Sequence, residues 1–448
     1  MAHKDMALVE SKVFGLLEKE PELRFFLMLA PLAALFLWAL VSWGWQIYRG
    51  MCVTGLNAPI FWGIYIVNFV FFIGVSHAGT LISSILRITD AAWRRPFTRI
   101  AESITIASLP FAGSSVIVDL GRPDRALNVL LTPHLTSPIL WDVICISTYM
   151  AVSCLYFFIA LVPDLASCRD KLKGIAPWRA ALYRLGAMGW QNTHEEMAFH
   201  NRVMGTLSII LLTLVISVHT NVGFIFGMTS KPGWHSASIG PYFVIGAAFQ
   251  GLAGLAIIMP LVRKFLGLET IITEAHLGAR KKFLIAMCCF WAYFTFTELL
   301  TAYYGQHAAE AVLLHSKFTG QYAPLFWGML TLCLFIPLPL LVFGRGDIGR
   351  VLFWTGISVN IGMWLERFDI VVPSAALTLL GWREFHYYPS WVEVSQTVGW
   401  LAGFVLLLVL LLRYLPILTV WEMEEEERGI DSAPPALKHW GAQWQKRD

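Results

Sequence analysis

Long apolar runs, broken by short polar connections, dominate the pattern of hydrophobic and polar positions along this chain. A helix needs about 20 mostly apolar residues to cross the hydrocarbon core of a bilayer. Ten segments meet this requirement, at 25–48, 59–87, 99–118, 138–163, 203–227, 239–262, 283–304, 321–343, 351–371 and 394–413. The pattern therefore predicts an all-α polytopic membrane protein with about ten transmembrane helices.

Basic residues in the connections predict how these helices are oriented. If the N-terminus is inside, 26 of the 33 Lys and Arg residues lie on the inner side, six lie on the outer side, and Arg367 lies within a span. Because Lys and Arg concentrate in cytoplasmic connections, we expect both termini in the cytoplasm. The segments 1–24 and 416–448 would then be cytoplasmic and flank a transmembrane domain over 25–415. We also expect a basic loop on the membrane surface at 164–202 and an exposed tail at 421–448.

Composition supports a lipid-embedded chain and limits the partners it can have. The 448 residues are 57% hydrophobic and only 14% charged, whereas soluble domains carry about 25% charged residues. The net charge of +3 gives no indication of a nucleic-acid partner. None of the seven cysteines forms a C-x-x-C motif, so we expect no metal site and no cofactor bound by the chain itself.

Ionisable residues inside the predicted spans are the functional candidates, because a charge at the bilayer centre costs a few kcal/mol. Most of them fall near the outer ends of five spans: Asp119, Asp142, His219, Glu298, Glu366, Arg367 and Asp369. His77 and Glu102 lie nearer the inner end. Convergence of several spans at one depth predicts a polar cavity that a lipid-soluble substrate can enter.

Quinone chemistry fits such a cavity, since oxidising a quinol releases two protons that need acceptors within reach. We expect Asp119, Asp142 and His219 to be the catalytic acceptors, with Glu366 and Arg367 completing the quinone-binding site. A proton path would use His77, Glu102, Glu298 and Asp369.

Structural roles are alternatives for each of these residues. Asp142 is also suited to cap its helix, and Asp119 to form an interfacial ion pair with Arg122. His219 is also suited to packing, and a contact between His77 and Glu102 would join two helices. Glu366, Arg367 and Asp369 are equally consistent with a buried structural ion pair, and Glu298 with a hydrogen bond between helices.

Two other functional classes remain open at this point. A cytochrome b-like subunit needs two histidines that face each other across a haem, and His77 and His219, the only well-embedded pair, are expected at different depths. A secondary transporter would place its polar residues near the bilayer midplane rather than at one face.

Six short strings, in order along the predicted spans, carry a family resemblance. They are His-Ala-Gly-Thr at 77–80, Leu-Gly-Arg-Pro at 120–123, Ser-Pro-Ile-Leu-Trp-Asp at 137–142, Ser-Val-His-Thr at 217–220, Pro-Gly-Trp-His at 232–235 and Gly-Met-Trp-Leu-Glu-Arg-Phe at 362–368. Over about 25–415 the chain resembles the NrfD/polysulfide-reductase membrane-subunit family. Within this family it looks similar to the quinol-binding subunit (ActC) of bacterial alternative complex III.

The resemblance implies two four-helix bundles, at about 59–227 and 239–371, plus flanking helices in a bacterial inner (cytoplasmic) membrane. It implies that menaquinol or ubiquinol is oxidised near the periplasmic face, with possible coupling to proton translocation. The partners would be a periplasmic iron–sulfur protein, multihaem cytochrome c subunits and further membrane subunits, including a possible paralogue. A quinone-reducing subunit of a molybdopterin or sulfur-metabolism oxidoreductase is the alternative within the family.

One residue matches the family pattern and one departs from it. Asp142 matches a proposed quinol ligand and proton acceptor of the family. In alternative complex III a His commonly precedes Leu-Gly-Arg-Pro, whereas this chain has Asp119 there. An Asp still accepts a proton, but the exchange bears on the quinone type and on the direction of electron flow.

Overall fold

A computed structural model describes residues 3–89, 91, 94–378 and 383–423, and the regular structure within these ranges is helical. Fifteen α-helices lie in the described ranges: α1 His3–Glu18, α2 Leu23–Arg49, α3 Ile64–Ile88, α4 Thr98–Asp119, α5 Asn128–Leu131, α6 Pro138–Lys171, α7 Pro177–Gly186, α8 His194–Gly227, α9 Ile239–Phe265, α10 Glu274–Gly305, α11 Ala308–Phe318, α12 Ala323–Leu330, α13 Pro337–Phe343, α14 Ile348–Ala376 and α15 Trp391–Tyr414. The described ranges also contain two isolated β-bridges, between Asn57 and Ile60 and between Leu377 and Glu384.

Ten helical segments of the described chain are long and apolar enough to cross a membrane, which confirms the predicted number. They are α2, α3, α4, α6, α8, α9, α10, the joined α12 and α13, α14 and α15. A π-helical turn at Thr331–Phe335 joins α12 to α13 just before Pro337, which has no backbone N–H to donate. The chain is a multi-pass integral membrane protein.

The expected surface loop at 164–202 is mostly helical, and the predicted span ends at 163 and 203 fall inside α6 and α8. Helix α6 continues to Lys171, and α8 begins at His194 behind a capping box formed by Thr193 and Glu196. Charged residues do not break a helix, so α6 and α8 both continue beyond their apolar spans. Helix α7 occupies most of the remainder.

The spanning helices pack as two groups of four with a flanking pair. Helices α3, α4, α6 and α8 form the first bundle, and α9, α10, α12–α13 and α14 form the second bundle. Helices α2 and α15 pack on each other, and α15 also packs on α4. The bundles meet mainly where α3 and α8 lie against α9, and a Cβ added at Gly251 of α9 would collide with the backbone of Ala78. This contact of small residues lets the two bundles approach closely.

We call the end predicted to face outward the outer end and the opposite one the inner end. At the inner end, residues 415–423 pack beneath the first bundle. The sequence predicted an exposed tail at 421–448, and this prediction was wrong for its first three residues, 421–423, which are buried. Leu418, Trp421 and Glu422 are fully buried there because Trp421 and Glu422 contact residues of α3 and α6. The rest of the predicted tail, 424–448, lies outside the described residues.

Candidate functional site

The depth of the two candidate carboxyls follows from an ion pair at the inner end. Arg99 of α4 and Asp164 of α6 lie 2.7 Å apart there. Asp119 lies twenty residues above Arg99, and Asp142 lies twenty-two residues above Asp164, which puts each carboxyl about 30 Å above the pair at 1.5 Å per residue. Asp119 and Asp142 therefore occupy the same level at the outer end of the first bundle.

Each of these carboxyls keeps an oxygen free for a ligand. Asp142 is only 8% exposed, and the Oδ1 atoms of Asp119 and Asp142 have no hydrogen-bond partner among the described residues. Asp142 is the fifth residue of α6, beyond the turn that a cap serves, so the capping alternative is wrong. Arg122 pairs with Asp124 at 2.9 Å, so the alternative ion pair with Asp119 is also wrong.

His77 and His219 are in direct contact in the interior of the first bundle, with ring centroids 3.7 Å apart. The expectation that they lie at different depths was wrong, because α3 and α8 cross closely enough for the two rings to meet. Nδ1 of His77 lies 2.9 Å from the carbonyl oxygen of Ile73, while neither ring nitrogen of His219 has a partner among the described residues. Rings in contact leave no room for an iron porphyrin between them, so this pair does not favour the cytochrome b-like class.

A polar face of α6 was not predicted and continues downward from Asp142. Tyr149 and Tyr156 follow Asp142 at intervals of seven residues, which places all three on one helix face. The Tyr149 hydroxyl lies 2.8 Å from Oγ1 of Thr80, and its ring lies 5.8 Å from that of His77. The seven-residue spacing is the sequence signal that would have revealed this face.

A second unpredicted feature, the outer polar node, joins four helices at the outer end. It consists of Gln46 (α2), Tyr65 (α3), Asp119 (α4) and Glu393 and Gln396 (α15). Tyr65 donates a hydrogen bond of 2.7 Å to Oε1 of Gln46, and Gln396 donates one of 2.9 Å to the same atom. Asp119 lies within electrostatic range of Tyr65 and Glu393. Oε1 of Gln396 has no partner among the described residues.

The described structure shows no direct contact of Asp119 with Asp142 or His219. Asp119 faces the node and the flanking helices, whereas Asp142 shares its helix face with Tyr149 and the histidine pair. The three predicted acceptors therefore do not converge: Asp119 and Asp142 lie at the outer end on two sides of the bundle, and His219 lies deeper, beside His77.

Glu366 and Arg367 of α14 lie at the boundary between the bundles. Trp291 of α10 donates a hydrogen bond of 3.1 Å to Glu366, and the Arg367 guanidinium lies 2.7 Å from the same carboxylate. Both side chains are fully buried. Glu366 thus faces the second bundle, while Arg367 is within electrostatic range of His77 and His219 in the first.

Glu298 and Asp369 line a polar chamber at the outer end of the second bundle. Lys317 lies 2.9 Å from Asp369, and Ser236 donates a hydrogen bond of 2.9 Å to Glu298. A cavity of about 220 Å³ adjoins Glu298 and Lys317, and a smaller one of about 60 Å³ leads from them to Asp369 and Tyr242. Because Tyr242 lies within electrostatic range of Glu366, the chamber extends from close to the bundle boundary towards the outer surface.

The other two residues of the expected proton path lie elsewhere. His77 belongs to the histidine pair, and Glu102 lies 3.3 Å from Arg99 at the inner end. The suggested contact between His77 and Glu102 is therefore not what holds α3 and α4 together. Within the described residues, no group of three or more His, Cys, Asp or Glu side chains is arranged to hold a metal ion.

Comparison with known proteins bears directly on this arrangement of helices. The sequence profile of the family described as "Polysulphide reductase, NrfD" matches residues 52–379, most of the chain. The chain belongs to the NrfD family. The matched region contains both bundles as far as Ala376 of α14, and with them Asp119, Asp142, His219, Glu298 and Glu366.

Several NrfD relatives cover nearly the whole chain. One is a putative dimethyl sulfoxide reductase membrane subunit from Halobacterium salinarum, 24% identical over 87% of this chain and 91% of the relative. Another is a selenate reductase subunit from Mesobacillus selenatarsenatis, 22% identical over 83% of this chain and 89% of the relative. A third is an Hdr-like menaquinol oxidoreductase integral membrane subunit from Archaeoglobus fulgidus. It is 23% identical over 90% of this chain and 97% of the relative. Each of these relatives is named as one subunit of an oxidoreductase.

Proposed function

We propose that this chain is the quinone-reactive membrane subunit of an oxidoreductase complex and that it oxidises a quinol at the outer end of its first bundle. The observation that carries the proposal is the pair of carboxyls, Asp119 and Asp142, at one level and each with a buried, unpartnered oxygen. Relatives named as a menaquinol oxidoreductase subunit and as reductase subunits support this role. They favour menaquinol as the substrate, with ubiquinol as the alternative.

In the proposed step, the quinol gives up two protons and two electrons and leaves as the quinone. Asp142 accepts one proton through its free oxygen, and Asp119 accepts the other. His219, beside His77, takes up the proton from Asp142 and frees that carboxylate for the next turnover. Each electron passes singly to an iron–sulfur centre held by a partner subunit.

The outer connection between α4 and α6 supports docking of that partner. Leu127, Leu131 and Leu135 are 66%, 74% and 78% exposed on it. Exposed apolar patches of this kind mark interaction surfaces. The connection links the two helices that carry Asp119 and Asp142, so a partner bound here would hold its electron acceptor near both. We propose an iron–sulfur subunit at this surface, with multihaem cytochrome c as a further partner.

The reverse direction, quinone reduction, is the second candidate. The names of the relatives include two reductases and one menaquinol oxidoreductase, and the same two carboxyls would donate protons in that case. We favour oxidation because the free oxygens of Asp119 and Asp142, as carboxylates, are acceptors for the hydroxyl hydrogens of a quinol.

Asp142→Asn in the assembled complex tests the proposal. Asn keeps the size of the side chain but cannot take up a proton, so we expect quinol oxidation to fall by about 100-fold or more, within the range for general acid–base catalysis. The measurement is the quinol-dependent reduction rate of the complex's own electron acceptor, in membranes with equal amounts of assembled complex.

Asp142→Glu is the matched variant, and it should retain measurable turnover because it restores a carboxyl. Turnover at the wild-type rate in the assembled Asn variant would contradict the catalytic role of Asp142. If the wild-type complex oxidised no quinol and reduced no quinone, the function itself would be refuted.

We further propose that the chamber in the second bundle conducts protons outward during turnover. Support comes from the adjoining cavities, which run from Tyr242 and Asp369 past Glu298 towards the outer surface, and from Arg367, whose field reaches the histidine pair. A change of charge in the first bundle would then act on Arg367 and on its ion pair with Glu366, beside the chamber.

Glu298→Gln in complex-containing proteoliposomes tests this path. We expect the wild type to release more than two protons outside per quinol oxidised, and the variant to release only the two from the quinol. Glu274→Gln, at the inner end of the same helix, should leave the ratio unchanged. A wild-type ratio of two, or an unchanged ratio in Glu298→Gln, would contradict proton transport through the chamber.

A further inference from the structure

An apolar groove lies between the flanking helices and the first bundle. It has a volume of about 410 Å³ and is bordered by α2, α4 and α15. Its walls include Phe36, Trp43, Phe111, Ser114, Trp400 and Leu407. The volume falls within the range of about 300–1,000 Å³ that is typical of ligand sites.

The outer polar node lies directly above this groove on each of its three helices. Gln46 follows Trp43 by three residues, Asp119 follows Ser114 by five, and Gln396 precedes Trp400 by four. At 1.5 Å per residue these steps amount to about 5–8 Å along the helix axes. The groove and the node together therefore make an amphipathic site, apolar at mid-membrane and polar at the outer end.

The unused hydrogen-bonding atoms of the node determine which head group a ligand in the groove can place there. Its unused atoms, Oδ1 of Asp119 and Oε1 of Gln396, are both acceptors. A quinol offers two hydroxyl donors, one for these acceptors and one for the free oxygen of Asp142. A phospholipid offers an anionic phosphate, and the charged side chains of the node, Asp119 and Glu393, would repel it.

We propose that the isoprenoid tail of the quinol lies in the groove between α2, α4 and α15, with the quinol ring at the outer polar node. This inference rests on the proposed function and adds where the substrate enters and what holds its tail. It also gives the flanking helices a role, because α2 and α15 supply Gln46, Gln396 and two of the three walls.

Leu407→Trp, which fills the groove, is the principal test, and Ser114→Leu fills it from the opposite wall. Val405→Trp is the matched control, since Val405 is on the same helix but exposed and outside the groove. The probes are a menaquinol with a full isoprenoid tail and the tail-less 2,3-dimethyl-1,4-naphthoquinol, assayed with the assembled complex in proteoliposomes.

We expect both groove variants to raise the KM for the long-tailed menaquinol about tenfold and to leave the KM for the tail-less quinol near the wild-type value. Val405→Trp should change neither KM. An unchanged KM for the long-tailed menaquinol would overturn the proposal and assign the groove to bilayer lipid. An equal rise for both quinols would also overturn it, because the ring site would then have been distorted.

Photolabelling of the wild-type complex tests the proposal independently of any variant. A menaquinone with a diazirine in its tail should label peptides from α2, α4 and α15, and labelling confined to other helices would overturn the proposal. If the wild type oxidises neither quinol, the proposed function fails, and this result is distinct from a failure of the tail assignment.

Discussion

The two ends of helices α4 and α6 use carboxyl groups in opposite ways. At the inner end, Arg99 pairs with Asp164 at 2.7 Å and with Glu102 at 3.3 Å, and Arg87 pairs with Glu422 at 2.7 Å. At the outer end, Asp119 and Asp142 have no ion-pair partner among the described residues, and each keeps a free oxygen.

This difference shows that burial alone does not make a carboxyl group reactive. An arginine that faces a buried carboxylate holds it charged and fixed, and removing one partner of such a pair is strongly destabilising. A buried carboxyl without such a partner gains or loses a proton more readily. The inner end is therefore built to hold helices together, and the outer end to exchange protons.

Arg99→Gln should have the largest effect on stability. It leaves Asp164 and Glu102 buried without their shared cation, and breaking a buried pair in this way costs about 3–5 kcal/mol. We expect a steep loss of assembled protein and a lower thermal midpoint of the purified complex. Asp119→Asn, at the other end of the same helix, is the control and should leave the midpoint unchanged. Equal losses of assembled protein and of thermal midpoint in the two variants would contradict the proposed difference between the inner and outer ends.

Most of the fold followed from the sequence because the bilayer imposes one strong rule. Apolar length gave ten spans, and ten were found. Errors arose where helices leave the lipid: α6 continues beyond its apolar span, through Asp164, which pairs with Arg99, to Lys171. The packing of residues 415–423 depends on contacts with distant residues, which no local pattern reveals.

The residue types of the candidate site and the shared level of Asp119 and Asp142 were predicted, whereas the depth of the histidines and the contacts were not. Asp119, Asp142 and His219 were identifiable because charged or titratable groups in lipid are costly. The contact of His77 with His219 depends on how α3 and α8 cross, which hydropathy does not determine. Gln46 and Gln396 were missed because neutral amides in a span carry a weaker signal than charges do.

Protonation of Glu422 should have the smallest effect and act only in acid. Burial would raise the pKa of this carboxyl, but Arg94, Arg87, Arg95 and Arg99 outweigh burial and hold the pKa below its usual value of 4.5. A carboxyl with a lowered folded-state pKa stabilises the fold above its unfolded pKa, and that contribution is lost as the pH falls through the folded value. The segment 415–423 should therefore stay docked at neutral pH and loosen only below about pH 4.5.

Limited proteolysis of the segment 415–423 across a pH series, with an acid-tolerant protease, measures this loosening. Glu422→Gln removes the charge at every pH, so its segment should already be accessible at pH 7. Glu20→Gln is a suitable control, because Glu20 is half exposed in its contact with Arg179 and should leave the segment protected. Release of the wild-type segment between pH 6 and pH 7 would show that the arginines do not hold Glu422 ionised, and that the inner end titrates as readily as the outer one.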